Sequence, residues 1–342
     1  MTSTPRVAFR TEAGPGIGLG HIRRCSALAE ALRALGVESL FLVAGDPRAR
    51  ESLVAAGCEA VPVEPARDLA GTLERCRERS VRVIVVDSYA VATSYLTALD
   101  TAGLRVAVID DVGDRDLPVD LVINVSAGAE RLRYRGAPHT RYLLGPRHAL
   151  LRTSFGQGGT RSGTDRANRI LITVGGADPL DLTSRLIGWT TRALGAVEQE
   201  VVLGPFSARS AALQAAVDAA GGRVLLHEDP KDVAPLMLAA DMAVCGGGQT
   251  TSELAATGTP AIAIRLAENQ TLNLTALSEA GTLVWAGDAR DTDLGAKVTT
   301  ALAGLGADSA RRDQMSRTGR TLVDGRGAAR VARAVAELEA AE

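Results

Sequence analysis

Hydrophobic positions in this chain fall into two series of short apolar runs, each separated by longer amphipathic stretches. In the first half the runs are Val7–Arg10, Ser39–Val43, Val81–Asp87, Val106–Ile109, Leu121–Asn124 and Tyr142–Leu144. Between them, stretches such as Ile22–Leu35 and Ala92–Leu99 repeat their apolar residues at helical spacing. Runs that are apolar at nearly every position suit strands covered on both faces, as parallel strands are. Regular strand–helix alternation therefore predicts a doubly wound parallel α/β sheet. Residues 156–168 are polar and glycine-rich without periodicity, and read as a linker.

A second series follows, with runs at Ile170–Val174, Val201–Leu203, Val224–Leu226, Met242–Cys245, Ala261–Ile264 and Leu283–Trp285. Helical patterns intervene, for example Ser207–Ala220 and Asn269–Ala280, and Gly325-Arg326-Gly327 precedes a last amphipathic helix from Ala328 to about Leu338. The economical architecture is two Rossmann-like domains, 1–155 and 169–324, facing across a cleft. Residues 325–342 form a C-terminal helix whose candidate packing partner is the N-terminal domain. Ligands on such sheets bind beyond the carboxyl ends of the strands.

Composition narrows the picture. A chain of 342 residues with 46% hydrophobic residues builds a large core, and with 3% aromatics that core must be aliphatic. The formal charge of -2 carries no basic surplus, which argues against a nucleic-acid partner. Cys25, Cys58, Cys76 and Cys245 have no metal-ligand spacing and read as buried free thiols, so no metal is expected. No apolar run is long enough to span a bilayer and none looks like a signal core. The expectation is a soluble, cytoplasmic protein.

Chemistry gathers at the ends of the apolar runs. After Val7–Arg10 a loop carries Gly14, Gly16, Gly18 and Gly20, and His21 opens the helix that follows. Glycines let the backbone approach a ligand, helix N–H groups favour an anion, and an unperturbed imidazole, titrating at about 6.5, is a general base near neutral pH. Arg24 lies one turn on. Asp87 and Tyr89 end the third run, where binding groups collect; Asp110 and Asp111 end the fourth, serving a loop or a substrate. In the second half, Gly175, Gly176 and Asp178 form another strand–glycine–helix junction, with Pro179 expected in the first helical turn. Gly246-Gly247-Gly248 frees N–H groups for a diphosphate, followed by Ser252 and by Glu253 for ribose hydroxyls. Asn269 and Gln270 are candidates for sugar hydroxyls; Arg24, Arg147, Arg152 and Arg265 for a carboxylate or the pyrophosphate. The dinucleotide fingerprint is absent, which disfavours a Rossmann oxidoreductase.

The segments VAFRTEAGPGIGLGHIRRCSALAEAL, VIDDVGDRDLPVDLVIN, LLGPRHALLRTSF, ILITVGGADP and LVDGRGAARVA resemble the UDP-sugar hydrolases of the pseudaminic-acid pathway and their spore-coat polysaccharide relatives. The resemblance runs over nearly the whole chain and implies the GT-B fold. It implies His21, in a GxGH motif with Gly18 and Gly20, as catalytic residue, Tyr89, Asn269 and Gln270 on the substrate, and Gly175, Gly176, Gly247 and Gly248 on UDP; by position, Arg24 is a further substrate candidate and Asp178, Ser252 and Glu253 further UDP candidates. Two departures stand out: Asp87-Ser88-Tyr89-Ala90 replaces the hydrolases' DHYG, and GGGQTTSELAATGTPAI looks closer to the peptidoglycan N-acetylglucosaminyltransferase. The arginine- and alanine-rich coding is similar to that of antibiotic-producing actinomycetes, whose cytosylglucuronate synthases join a UDP-sugar to cytosine. The expected activity is a metal-independent, cofactor-free, inverting transfer from a UDP-sugar to a small acceptor, such as a nucleobase or a natural-product intermediate. Hydrolysis, with water at the same site, is the alternative; a nucleotide-sugar sensor is a third.

Overall fold

Two apolar stretches without a single exposed side chain, Val83–Asp87 and Leu121–Asn124, lie inside one seven-stranded parallel sheet. The computed structural model that shows this describes residues 5–14, 17, 19–156 and 164–340. The chain divides into two units, Met1–Thr153 with Arg326–Glu342, and Ser154–Gly325.

In the first unit the chain runs β1 (Arg6–Ala13), α1 (Gly20–Arg33), β2 (Glu38–Gly45), α2 (Pro47–Ala55), β3 (Glu59–Pro62), α3 (Asp68–Glu78), β4 (Val83–Asp87), α4 (Thr93–Thr101) and β5 (Arg105–Ile109). Short strands β6 (Asp116–Leu117), β7 (Leu121–Asn124), β8 (Arg135–Gly136) and β9 (Arg141–Leu144) complete it. The main sheet has the order β3-β2-β1-β4-β5-β7-β9, all parallel. The order reverses between β1 and β4, so the loops after these strands diverge and leave a crevice at their carboxyl ends.

The second unit repeats the plan with β10 (Arg169–Thr173), α5 (Leu182–Leu194), β11 (Glu198–Leu203), α6 (Ala211–Ala219), β12 (Val224–Glu228), α7 (Ala234–Ala239), β13 (Met242–Gly246), α8 (Thr250–Thr257), β14 (Ala261–Arg265), α9 (Thr271–Glu279), β15 (Leu283–Asp288), α10 (Leu294–Ala307) and α11 (Ser309–Leu322). Its parallel sheet has the order β12-β11-β10-β13-β14-β15, reversing between β10 and β13. Among the described residues no helix is long and apolar enough to cross a membrane.

Where strand ends differ from expectation, polar residues with buried partners are the cause. β1 continues past Arg10 to Ala13, because Arg10 pairs with Asp68 and Glu12 accepts the backbone N–H of Tyr89. β11 begins at Glu198, not Val201, because the Gln199 amide donates to Thr191 and Glu200 meets His227. Conversely α6 starts only at Ala211, since the Ser210 hydroxyl caps it through the Leu213 N–H. The Asn269–Ala280 pattern splits into a 3-10 turn, Glu268–Gln270, and α9. Cys25, Cys76 and Cys245 are buried free thiols, whereas Cys58 is only half-buried. Of the expected linker, 157–163 lie outside the described residues; Thr164 bonds Asp241 and the Ala167 N–H bonds the Gly306 carbonyl.

The last helix, α12 (Gly327–Ala340), belongs to the first unit. Val331, Ala332 and Val335 on it are wholly buried in the same core as Leu28 and Leu32 of α1. Gly327 has no room for a side chain, since a Cβ would collide with the backbone of Ala149. An aspartate at Val331 would bury an unpaired charge, so Val331→Asp is expected to cost about 4 kcal/mol or more. Hydrogen exchange should then show protection lost from the first unit and kept in the second; an even loss across both would contradict this placement of α12.

Candidate active site

Two of the predicted constellations sit at the carboxyl edge of the first sheet, on the β1 and β4 sides of its reversal. The loop after β1 leads to Gly20, the exposed first residue of α1, and to His21. No side chain caps α1 and no acidic residue lies in its first turn. Gly18 lies outside the described residues. β4 ends on Asp87, which has no exposed surface.

His21 is buried, 4% exposed, and its Nδ1 lies 2.5 Å from Asp87 Oδ1. Arg24 Nε donates to Asp87 Oδ2 at 2.7 Å and Nη2 to Oδ1 at 2.5 Å, a two-pronged contact. The Cys25 thiol also faces Asp87 Oδ2, at 3.4 Å. Burial opposes ionisation of Asp87, but the charge and hydrogen bonds of Arg24 outweigh it, with His21 adding to them. The carboxyl is therefore held well below the ordinary carboxylate range. Burial also pulls on Arg24, and the carboxylates of Asp111 and Asp87 overcome it, leaving the guanidinium charged. An ionised Asp87 keeps the proton of a neutral imidazole on Nδ1. Among the described residues nothing hydrogen-bonds Nε2, which is left as the free base.

Arg24 and Tyr89 both meet Asp111, just after the end of β5. Arg24 spends its guanidinium on protein carboxylates, since Nη1 donates to both oxygens of Asp111 at 2.8 and 2.9 Å. Tyr89 sets its ring edge-on to His21, centroids 4.8 Å apart, and donates its hydroxyl to Asp111 Oδ2 at 2.5 Å. Asp110 is a loop brace, accepting the N–H groups of Val112 and Gly113 and the Tyr134 hydroxyl. Sequence reasoning placed Asp87 at a strand edge without pairing it to His21. The adjacency of β1 and β4 in a doubly wound sheet was the available signal.

In the second unit the glycine turns flank the other reversal. Gly175 has φ +115°, a conformation open to glycine, and Phe206 N–H bonds the Gly176 carbonyl. Gly204 packs so closely on this turn that a Cβ would strike both carbonyl oxygens of Gly175 and Gly176. Asp178 accepts the N–H groups of Leu182 and Thr183 at 2.8 Å each. It thus occupies the α5 terminus that was expected to face a phosphate. Pro179 lies in the turn before α5, not in its first turn.

After β13 the chain passes through Gly247 and Gly248 into α8, whose start carries no side-chain cap. In its first turn the N–H groups of Thr251, Ser252 and Glu253 already bond the Gly248 and Gln249 carbonyls and Glu253 adds a carboxyl, so an anion here would face the turn at 248–250 and the helix dipole. A Cβ on Gly247 would lie 2.6 Å from Leu274 Cδ1 and 2.9 Å from Gln270 Oε1. Gln270 is itself part of the scaffold, its Oε1 accepting the Leu266 N–H at 2.8 Å. Asn269 sits beside it in the 3-10 turn. Ser252 and Glu253 are buried in α8, and Asn273, absent from the sequence candidates, donates to Thr251 at 3.0 Å. Arg265 is committed to Asp288, Glu268 and Thr271.

No family model matches the chain. An uncharacterized protein of Methanocaldococcus jannaschii is 22% identical over 270 residues, covering 76% of this chain. The chain spans 55% of that relative's length. The spore coat polysaccharide biosynthesis protein SpsG of Bacillus subtilis is 23% identical over 337 residues, 95% of this chain and 96% of that protein. Over 87 residues, 24% of the chain, it is 42% identical to 23% of the peptidoglycan N-acetylglucosamine transferase of Salinibacter ruber. Among solved structures, Acinetobacter baumannii MurG aligns with a TM-score of 0.71 at 15% identity, covering 97% of this chain and all of that one. The calicheamicin glycosyltransferase CalG4 aligns with a TM-score of 0.66 at 15% identity, covering 98% of both chains. The fold is that of the GT-B glycosyltransferases.

Proposed function

We propose that this protein is a nucleotide-sugar glycosyltransferase in which His21 is the general base. The observation that carries the reading is the His21–Asp87 pair: a buried, ionised carboxylate on Nδ1 and an Nε2 with no hydrogen-bond partner among the described residues. Such a group takes a proton from an acceptor as its oxygen or nitrogen attacks the anomeric carbon. Asp87 and Asp111 are saturated by Arg24, His21 and Tyr89, which disfavours either as a covalent nucleophile. A single displacement follows, with inversion at the anomeric carbon.

The leaving diphosphate is assigned to the Gly247–Thr250 turn, with Gly175 and Gly176 as the neighbouring turn and Ser252 and Glu253 as candidates for the nucleotide's hydroxyls. Backbone N–H groups and the α8 dipole neutralise the departing charge, so the reading needs no metal ion or cofactor. Gly247→Ala is expected to weaken UDP binding at least tenfold, because the new methyl pushes on Leu274 and on the Gln270 amide that shape the turn. Titration calorimetry with UDP measures it; unchanged affinity would move the diphosphate elsewhere.

Tyr89, large and half exposed, sets its ring edge-on to His21. An exposed aromatic beside the base favours an organic acceptor, such as a nucleobase, over water. UDP release from a panel of UDP-sugars, with and without added acceptors including cytosine, tests the reading. Slow release accelerated by an acceptor supports transfer. Stoichiometric sugar release that no acceptor changes means a hydrolase, and tight UDP binding without any turnover means a sensor.

A further inference from the structure

We propose that Asp111 is a positioning residue for His21, acting through Arg24 and Tyr89 without touching the imidazole. The inference rests on the reading of His21 as the base, and it assigns a function to the second carboxylate at this sheet edge.

Three contacts carry it. Asp111 receives both oxygens' worth of contact from Arg24 Nη1, while the other two guanidinium nitrogens grip Asp87. Arg24 is thereby locked between two carboxylates, with all three side chains largely buried. Asp111 also accepts the Tyr89 hydroxyl, and Glu12 accepts the Tyr89 backbone N–H at 3.0 Å. Tyrosine 89 is therefore held at both ends, and its ring closes the flank of the imidazole at 78°. Asp87 fixes one nitrogen of the ring, Tyr89 fixes its tilt, and Nε2 is aimed by the two together.

Charge balance points the same way. The groups around His21 are Arg24 and Cys25 on α1, Asp87 and Tyr89 after β4, Asp111 after β5, and Glu12 of β1 behind Tyr89. Burial, then the Asp87 charge, keeps the Cys25 thiol protonated. Arg24 Nη2 lies 3.2 Å from His21 Nδ1. Arg24, Asp87 and Asp111 together carry one net negative charge; with Asp111 neutralised Asp87 and Arg24 cancel, that negative charge is gone, and the imidazolium that must form during proton transfer is disfavoured. With Arg24 neutralised, two carboxylates remain and the imidazolium is favoured. The two partners of one ion pair therefore push His21 in opposite directions. Loosening of the structure would instead move both variants the same way.

The experiment is an NMR titration of the full chain labelled at histidine carbons, in which His21→Ala identifies one of the four histidine signals. Asp111→Asn is expected to lower the His21 midpoint by about one pH unit, and Arg24→Gln to raise it. Asp111→Glu, which keeps the charge, should leave the midpoint in place. If the amide variant does not fold, Asp111→Ser makes the same charge change with a smaller side chain. An unmoved midpoint in the neutral variants, or a shift in the same direction as Arg24→Gln, overturns the proposal. The titration needs no substrate, so it is separate from the fate of His21 as base: an active His21→Ala enzyme ends that reading, whatever the midpoints do. Once a donor is in hand, Asp111→Asn should lower kcat at least tenfold with KM little changed.

Discussion

Replacing His21 with alanine is expected to cut turnover by about 10²- to 10⁴-fold, the usual worth of general-base assistance. UDP binding should survive, because the residues assigned to the diphosphate lie in the other unit. Among the described residues no neighbour is placed to inherit the proton. Asp87 is ionised but filled by Arg24 and His21, Asp111 is filled by Arg24 and Tyr89, and Cys25 is buried against Asp87. Turnover and calorimetric UDP affinity, measured on one preparation, check both halves. Near-normal turnover would remove His21 from the mechanism, and lost UDP affinity would show that it acts by binding.

The strand–helix alternation was legible because parallel strands buried on both faces are written as unbroken apolar runs, and Val83–Val86 and Ile170–Ile172 are such runs. Strand ends were less legible. Arg10 and Glu12 are polar yet buried, and their partners come from distant elements, while buried Gln199 bonds the helix just before its strand, so nothing in the strand itself marks them as strand. Short β6 and β8 gain their pairing from each other across a long loop and carry almost no pattern. For the site, the glycine turns announced themselves, since few other roles call for three successive glycines. The division of labour among charged residues did not. Arg24 reads as a substrate ligand from its position one turn after His21, and only the fold shows Asp87 and Asp111 converging on it from two other strands. Asp178 likewise reads as a phosphate-loop residue, whereas the fold spends it on the α5 terminus. Sequence locates the carboxyl edge of each strand; which side chains cancel one another there depends on strand order.

Asp87→Asn tests that cancellation most directly, and its effect on stability and on rate should both be large. The amide is the same size, but it carries no charge and offers one acceptor where the carboxylate offered two. If its oxygen faces His21, its NH₂ faces the Nε–H of Arg24, donor against donor. The buried guanidinium then keeps only Asp111 as counter-ion, and a loss of about 3–5 kcal/mol is expected at neutral pH. The sign of the pH dependence follows from the carboxyl being more acidic in the folded protein than in the unfolded chain. Its contribution is complete above the unfolded value of about 3.9 and is lost as pH falls below it towards the folded value. Urea denaturation of the two proteins should therefore differ most near neutrality and converge below about pH 4. Turnover should fall about 10²-fold or more, because the imidazole no longer has an anion to hold its proton on Nδ1 and to balance the imidazolium. Adding Arg24→Gln to Asp87→Asn removes the donor-against-donor clash as well, so the double variant should lose less stability than the two single losses added together. Additive losses would mean that Asp87 and Arg24 act independently, and the charged unit beneath His21 would have to be redrawn.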